Sequence, residues 1–373
     1  IEDTPKVVFA HYSFQGTDLY AKLNIPFIQV VHNVYAWLDE SGRQNFTNSI
    51  PNTMLFIAVS PVVREYTVQE LGVPDEKCIT IANGIETLKF IPLTPQEKAE
   101  KRKELGFAPD EYIFISVASV NPIKRLFALV KSFHLASLAG VNATLLLIGY
   151  SYDAAYLQDI LDYIERYNLK DTIRYLGHTH SPEMYYSIAD AQLHGSTIEG
   201  GQLTFLEALT ANLSIVTTDV GFAPLFKGHK GLRIVERNFP YEPKSFVDSR
   251  LLAGGGKLIA DLASEIRHTY AERVKPDLPQ QITKLFDCQN TYLAYAEIVK
   301  GIMAGNTSIS TPVGWCDLIE KTHMESDSES PPLKDSEGYY TLFHMVAERD
   351  TQLAELDAKV AQLTVTLNEV YPS

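Results

Sequence analysis

From about residue 6 to residue 304, short apolar runs alternate with amphipathic stretches. Runs at Lys6–Ala10, Pro26–Val31, Met54–Val59 and Cys78–Ile81 predict a first set of strands. Runs at Tyr112–Ala118, Ala143–Gly149, Thr172–Leu176, Ala191–His194, Leu213–Thr217 and Gly231–Val235 predict a second. Helical patterns lie between them, for example Ile123–Leu138 and Ala154–Tyr167. Continuous apolar strands separated by helices indicate parallel sheets covered on both faces. The alternation breaks after Pro92, where the charged stretch Thr94–Leu105 reads as a linker helix. The expectation is an α/β chain with two doubly wound, Rossmann-like domains at 1–92 and 109–304, joined by a linker at 93–108. The first is small for its kind, with four strands where an open doubly wound sheet usually has about six. Either its real N-terminus is missing or the domain is a reduced one.

The tail differs in kind. Residues 305–338 are rich in Ser, Pro, Asp, Glu and Gly and read as a flexible linker. In 339–371 apolar residues recur at Val346, Leu353, Leu356, Val360, Leu363, Leu367 and Val370, in heptad-compatible steps that Arg349 interrupts once. That is a coiled-coil seam of about three heptads, and it predicts a homo-oligomer joined through Val346–Val370. One amphipathic helix folded back onto the body fits the same steps.

Composition narrows the function. Among 373 residues, 45% are hydrophobic and 21% charged, as in ordinary globular proteins, and the net charge is −14. Such acidity argues against nucleic acid as a partner, because phosphate backbones need basic stripes. It leaves room for a small anion in a local basic pocket. The odd, widely spaced Cys78, Cys288 and Cys316 form no metal-like cluster and suit a reducing compartment. No apolar run reaches the ~18 residues of a transmembrane helix. These features point to the cytoplasm, with peripheral attachment at the inner membrane left open.

The chemistry concentrates in Ser196-Thr-Ile-Glu199-Gly-Gly-Gln-Leu-Thr-Phe-Leu-Glu207. Glu199 follows a strand, and Gly200 and Gly201 are expected to open a helix containing Glu207. Amides at Gly201, Gln202 and Leu203 would then point out of a helix N-terminus toward an anionic or hydroxyl-rich ligand. At ~1.5 Å rise per residue the two carboxylates would stand roughly 12 Å apart. That exceeds the ~5–9.5 Å of a glycosidase acid/base pair, so they would bracket the ends of a long ligand. Two exposed or capping glutamates on a surface helix fit the same spacing.

Other candidates sit where strands end, the edge at which such sheets bind ligands. In Val117-Ala-Ser119-Val-Asn121-Pro-Ile-Lys124-Arg125, Asn-Pro makes a turn and the two cations open the next helix. Lys124 can neutralise a diphosphate as a point charge and Arg125 can do so bidentately; solvated surface cations fit equally. Gly149 ends another strand, and His178 and His180 lie on a neighbouring loop whose backbone is expected to meet a nucleobase. His32 ends a buried strand facing the cleft, placed for polar contact or proton transfer, or is a satisfied structural residue. Ser60 reads as a helix N-cap, Arg64 is left open, and Asn83-Gly84 reads as a tight turn.

In order, His32, Ser60, Asn83-Gly84, Lys124 and Glu199…Glu207 resemble the retaining glycosyltransferases of family 4, which have the two-domain GT-B fold. Tyr185-Tyr-Ser-Ile-Ala-Asp190 and the helix beginning near Phe286 are similar to further stretches of that family, so the resemblance spans roughly 6–303. It implies that Lys124 contacts a donor diphosphate and Glu207 the ribose. Glu199 and the amides of Gly201 to Leu203 hold the donor sugar, and His32 reaches that sugar from the facing domain. There are departures. Ser119 stands at the family's phosphate-binding Arg, Arg125 at a usual Gly, and Gly201-Gln202 at its Phe-Gly. Val220-Gly-Phe lacks a second Gly and the Glu after it.

The resemblance implies transfer of a hexosyl group, with retention, from a nucleotide diphosphate sugar to a saccharide or lipid-linked acceptor, with no cofactor and no metal. His32, Lys124 and Glu199 would be the catalytic residues. Ser119, Asn121, Arg125, Gly149, His178, Gly200, Gly201, Gln202, Leu203 and Glu207 would bind the donor. The linker and seam suggest a piece of a larger bacterial polysaccharide-building enzyme. The rival readings are a nucleotide-sugar epimerase and a non-catalytic donor-binding scaffold assembled through the coiled coil.

Overall fold

A computed structural model describes residues 6–237, 255–278, 284–306 and 309–310. The expected coiled coil, Cys316 and nearly all of the 305–338 linker lie outside the described residues.

The first sheet holds β1 (Val8–His11), β2 (Phe27–Val31), β3 (Leu55–Ala58) and β4 (Cys78–Thr80), all parallel and in that spatial order. Every residue of β2 and β3 is buried, so neither strand shows polar alternation. The one polar residue inside them, Gln29, donates to Ser49 Oγ at 2.8 Å and keeps its amide satisfied. Helices α1 (Thr17–Lys22), α2 (Glu40–Ser49) and α3 (Pro61–Gln69) connect the strands. Asp39 caps α2 by accepting from Gly42 N–H at 2.7 Å. Ser60 caps α3 as expected, accepting from Val63 N–H at 3.2 Å.

The stretch expected as a linker forms α4 (Pro95–Glu104), and it is docked rather than free. Thr94 and Glu97 form a reciprocal capping box at its start. From α4, Lys98 and Arg102 reach the carboxylate of Asp190 at 2.8 and 2.6 Å. Arg102 also donates to the Ile188 carbonyl, and Asp190 accepts the Ile113 N–H at 2.9 Å. Asp190 therefore ties α4 to the base of the second sheet.

That sheet holds β5 (Ile113–Val117), β6 (Thr144–Ile148), β7 (Ile173–Gly177), β8 (Ala191–His194), β9 (Ser214–Thr218) and β10 (Leu232–Val235). All pairs are parallel and the order is β10-β9-β8-β5-β6-β7. The order reverses between β5 and β8, and at such a reversal the connecting helices leave on opposite faces and open a crevice at the carboxyl ends. Among the described residues, the first sheet shows no such reversal. Helices α5 (Leu126–Leu138), α6 (Ala154–Arg166), α7 (Glu183–Ile188), α8 (Leu203–Thr210) and α9 (Gly255–Glu272) cover the second sheet. Among its core residues Phe114, Phe133, Phe205 and Phe226 are fully buried, each burial worth about 1.5–3 kcal/mol.

The last described helix, α10 (Cys288–Met303), crosses back and buries Ala294 and Ile298 in the core of the first domain. Asn83-Gly84, read as a turn, forms no turn and serves this crossing. A Cβ on Gly84 would lie 2.6 Å from Cys288 Cα, so only glycine lets the chains pass. Ile85 N–H donates to Phe286 O at 2.8 Å and Ile85 O accepts from Cys288 N–H at 2.9 Å, and Thr291 Oγ1 donates to Ala82 O at 2.9 Å.

Asp190→Ala would leave the Arg102 guanidinium, whose side chain is only 7% exposed, without its countercharge. Loss of one partner of a buried pair is strongly destabilising, so a fall of about 3 kcal/mol is expected in urea unfolding. A change under about 0.5 kcal/mol would remove Asp190 from that anchoring role.

Candidate active site

The crevice at the β5/β8 reversal is built from two loops. After β5, Asn121 accepts from Lys124 N–H at 3.3 Å and caps a short 3-10 turn, Pro122–Lys124. After β8, Thr197 N–H donates to Ile123 O at 2.9 Å and binds the second loop to this turn. Ser196 O accepts from Thr218 Oγ1 at 2.6 Å and ties the loop to β9.

These ties bring Lys124 and Glu199 together. Lys124 Nζ donates to Glu199 Oε1 at 2.5 Å, the two side chains being 24% and 10% exposed. Ser196 Oγ donates to the same oxygen at 2.7 Å, and His194 Nε2 lies 3.2 Å from it. Burial pushes the Glu199 carboxyl up, but Lys124 and then His194 more than offset it and hold the group at about 2. Glu199 is a buried anion, and a neutral carboxyl there would forfeit these bonds.

Arg125, expected beside Lys124 at the donor, points elsewhere. Its side chain is 3% exposed, with the guanidinium nitrogens sealed from solvent and Tyr156 close by. Burial lowers this guanidinium to about 10. Its backbone is left-handed, φ 51°, the conformation that favours glycine.

The helical geometry assumed for Glu199 to Glu207 also needs correction. Helix α8 starts only at Leu203, with Gln202 extended at the N-cap, so helical rise does not measure the separation of the carboxylates. The glycines permit close approach, but of protein. A Cβ on Gly200 would overlap the carbonyl oxygen of His32, and one on Gly201 would sit 2.8 Å from the Phe222 ring. Ser60 Oγ, besides capping α3, donates to Gly200 O across the domain boundary. Gln202 staples α8 to the next loop, donating to Val220 O at 2.8 Å and accepting from Phe222 N–H at 2.9 Å. The amides of Gly201, Gln202 and Leu203 find no acceptor among the described residues.

At the far end of α8, Glu207 is half-buried and its Oε2 is sealed from solvent with no hydrogen-bond partner. Burial raises its carboxyl, and a hydrogen bond from Tyr186 lowers it in part. Ser119 Oγ accepts from the Asn121 amide at 2.9 Å. Gly149 packs on the Ala118 backbone, with no room for a side chain. His178 and His180 are exposed, their rings 4.9 Å apart. Arg64 turns away to Asp75 and Cys78 O.

The facing wall comes from the first domain. His32 shares a 2.7 Å hydrogen bond with His11, and Tyr12 stacks on its ring at 4.7 Å. Burial first, and then His11, lowers His32 to about 4, so the imidazole is neutral near pH 7. Tyr12 is 63% exposed with left-handed backbone, φ 56°, and burial and then Glu199 raise its phenol. Sequence reasoning missed His11, Tyr12 and His194. The rule that selected His32, a polar ring at the carboxyl end of a strand, applies to His11 and His194 as well.

Comparison with known proteins agrees with this geometry. Residues 2–88 match the family described as Glycosyltransferase Family 4, and residues 97–238 match Glycosyl transferases group 1. The alpha-monoglucosyldiacylglycerol synthase of Acholeplasma laidlawii is 25% identical over 230 residues, 56% of this chain and 58% of that protein. The N-acetyl-alpha-D-glucosaminyl L-malate synthase of Bacillus anthracis is 26% identical over 155 residues, 42% of this chain and 39% of that protein. The chain thus spans between about two fifths and three fifths of these relatives' length. The crystal structure of Anabaena HepE with UDP and glucose superposes with a TM-score of 0.59 at 17% identity, covering 79% of this chain and 78% of that one. With two adjoining family matches on a two-domain GT-B fold, the chain belongs to the family 4 glycosyltransferases. Among the described residues, no helix is long and apolar enough to cross a membrane.

The His32 shift carries a pH signature. Its folded value, about 4, lies below the ~6.5 of an unfolded histidine. As pH falls through that window the unfolded chain takes up a proton that the folded one refuses, and stability is lost. His32→Gln should therefore flatten the decline of Tm between about pH 6.5 and 4. Calorimetric scans giving parallel Tm profiles for the two proteins would contradict a neutral, half-buried His32.

Proposed function

We propose that this chain is a retaining glycosyltransferase that moves a hexosyl group from a nucleotide diphosphate sugar to a saccharide or lipid-linked acceptor. The observation that carries the reading is the Lys124–Glu199 pair at the β5/β8 reversal, beside the open amides of α8 and opposite His32. In this reading the diphosphate lies against Lys124, and the sugar is held by Glu199 and the amides of Gly201 to Leu203. Glu207, with its unsatisfied Oε2, takes the ribose hydroxyls, and His32 contacts the sugar as a neutral hydrogen-bonding partner. Ser119, Asn121, Gly149 and His178 line the donor's path. Arg125 supports the turn that presents Lys124.

The departing diphosphate gathers negative charge as the glycosidic bond breaks. The α8 N-terminus, and Lys124 once it has turned from Glu199 to the diphosphate, stabilise that charge with groups held in the crevice. The acceptor hydroxyl attacks on the face the diphosphate leaves, and its proton passes to the diphosphate. The anomeric configuration is retained, with no metal required. HepE, solved with UDP and glucose, supports a nucleoside diphosphate leaving group. Both relatives are named for products carrying a glucosyl or N-acetylglucosaminyl group, which supports a hexosyl donor. The work would lie in glycan or cell-surface polysaccharide synthesis, on the cytoplasmic side and peripheral to the inner membrane. A homo-oligomer would form through Val346–Val370.

Lys124→Ala should lower kcat/KM about 100- to 1000-fold, the cost of one charge contact made to the transition state. NMR of the product's anomeric proton should show the donor's configuration. Undiminished transfer by the variant, or an inverted product, would overturn the mechanism. Turnover of donor to a C-epimer without acceptor would identify an epimerase instead.

A further inference from the structure

The Glu199 carboxylate is gripped on one side only. Lys124, Ser196 and His194 all converge on Oε1, and among the described residues nothing bonds Oε2. Of the three, His194 is the least expected. It ends β8 at 4% exposure, and its Nδ1 is buried with no hydrogen-bond partner. An imidazole with one unsatisfied edge is a poor choice for packing alone, since leucine would fill similar space with no buried polar atom.

Lys124 faces two demands. In the absence of ligand it neutralises Glu199, yet in the donor-binding reading its ammonium must turn to a diphosphate. Among the described residues, the other titratable groups facing Glu199 are His194 and Tyr12, and Tyr12 brings no positive charge. His194 and Ser196 cannot leave with Lys124. His194 is part of β8, and Ser196 is fastened to β9 through Thr218. We propose that His194 is a positioning residue that, with Ser196, keeps Glu199 ionised and correctly aimed while Lys124 engages the donor diphosphate. This rests on the donor-binding function proposed above, and it makes His194 Nε2–H the standing partner of Oε1, leaving Oε2 to the sugar.

Lys124→Met in the full chain mimics departure of the ammonium. The Glu199 carboxyl is followed by carbon NMR, assigned by its loss in Glu199→Gln. In K124M alone the carboxyl should stay ionised to low pH. In K124M/H194L its midpoint should rise by at least one pH unit. In K124M/H194Q, where the glutamine N–H reaches the position of Nε2, it should return close to K124M. Coincident midpoints in all three would overturn the proposal. On the Lys124-containing protein, H194L should weaken UDP or GDP binding about tenfold while leaving UMP or GMP within twofold, with H194Q restoring the diphosphate. Equal loss for mono- and diphosphates would mark His194 as merely structural. Should K124M/H194L fail to fold, this selectivity decides the matter. Should wild type bind neither UDP nor GDP, the donor reading falls, and the Glu199 titration still decides the role of His194.

Discussion

A carboxylate inside a protein is tolerated only where fixed donors replace the water it has lost, and this molecule is organised around one such group. Glu199 sits where the second sheet splits and beside a contact with the first domain. Its Oε1 draws Lys124 from the β5 loop and His194 from the end of β8. Two residues of chain away, Gly201 lies under Phe222; between them, Gly200 meets His32 and Ser60 of the other domain. The loops are tied to each other through Thr197 and Ile123 and to β9 through Thr218. Moving the carboxylate would therefore disturb the turn after β5, the helix N-terminus and the domain contact together.

The two domains are joined by interlocking rather than by a tether. Helix α4 leaves the first domain and is pinned at once by Asp190 at the base of the second sheet. Helix α10 returns from the second domain and contributes core residues to the first, passing through the gap that Gly84 leaves. Asp190 acts at the amino ends of the strands and Glu199 at their carboxyl ends. One anchors the scaffold and the other shapes the crevice, and both do so by gathering donors from separate segments onto one carboxylate.

The strand pattern was legible because buried parallel strands leave an uninterrupted apolar run; β2, β3 and β6 are buried at every position, and no polar alternation obscures them. Lys124 and Glu199 could be singled out because each follows a strand within a few residues. Two local signals misled. Gly200-Gly201 looked like the opening of a helix and Asn83-Gly84 like a turn, whereas each lets two backbones pass within contact distance. A glycine chosen for the Cβ it lacks looks the same in sequence as one chosen for its φ. Arg125 looked like a second phosphate ligand; its left-handed backbone and burial beside Tyr156 depend on packing that adjacency to Lys124 does not report.

By itself, the sequence determined the α/β class, the two domains, the place of each strand and which loops could carry chemistry, because periodicity and chain order are local properties. Only the tertiary structure decided that Lys124 and Glu199 form a hydrogen-bonded ion pair, that His194 stands behind them, and that His11 and Tyr12 accompany His32. The His11–His32 and Lys124–Glu199 contacts join positions 21 and 75 residues apart, and the burial and neighbouring charges that set the state of each group exist only in the folded chain.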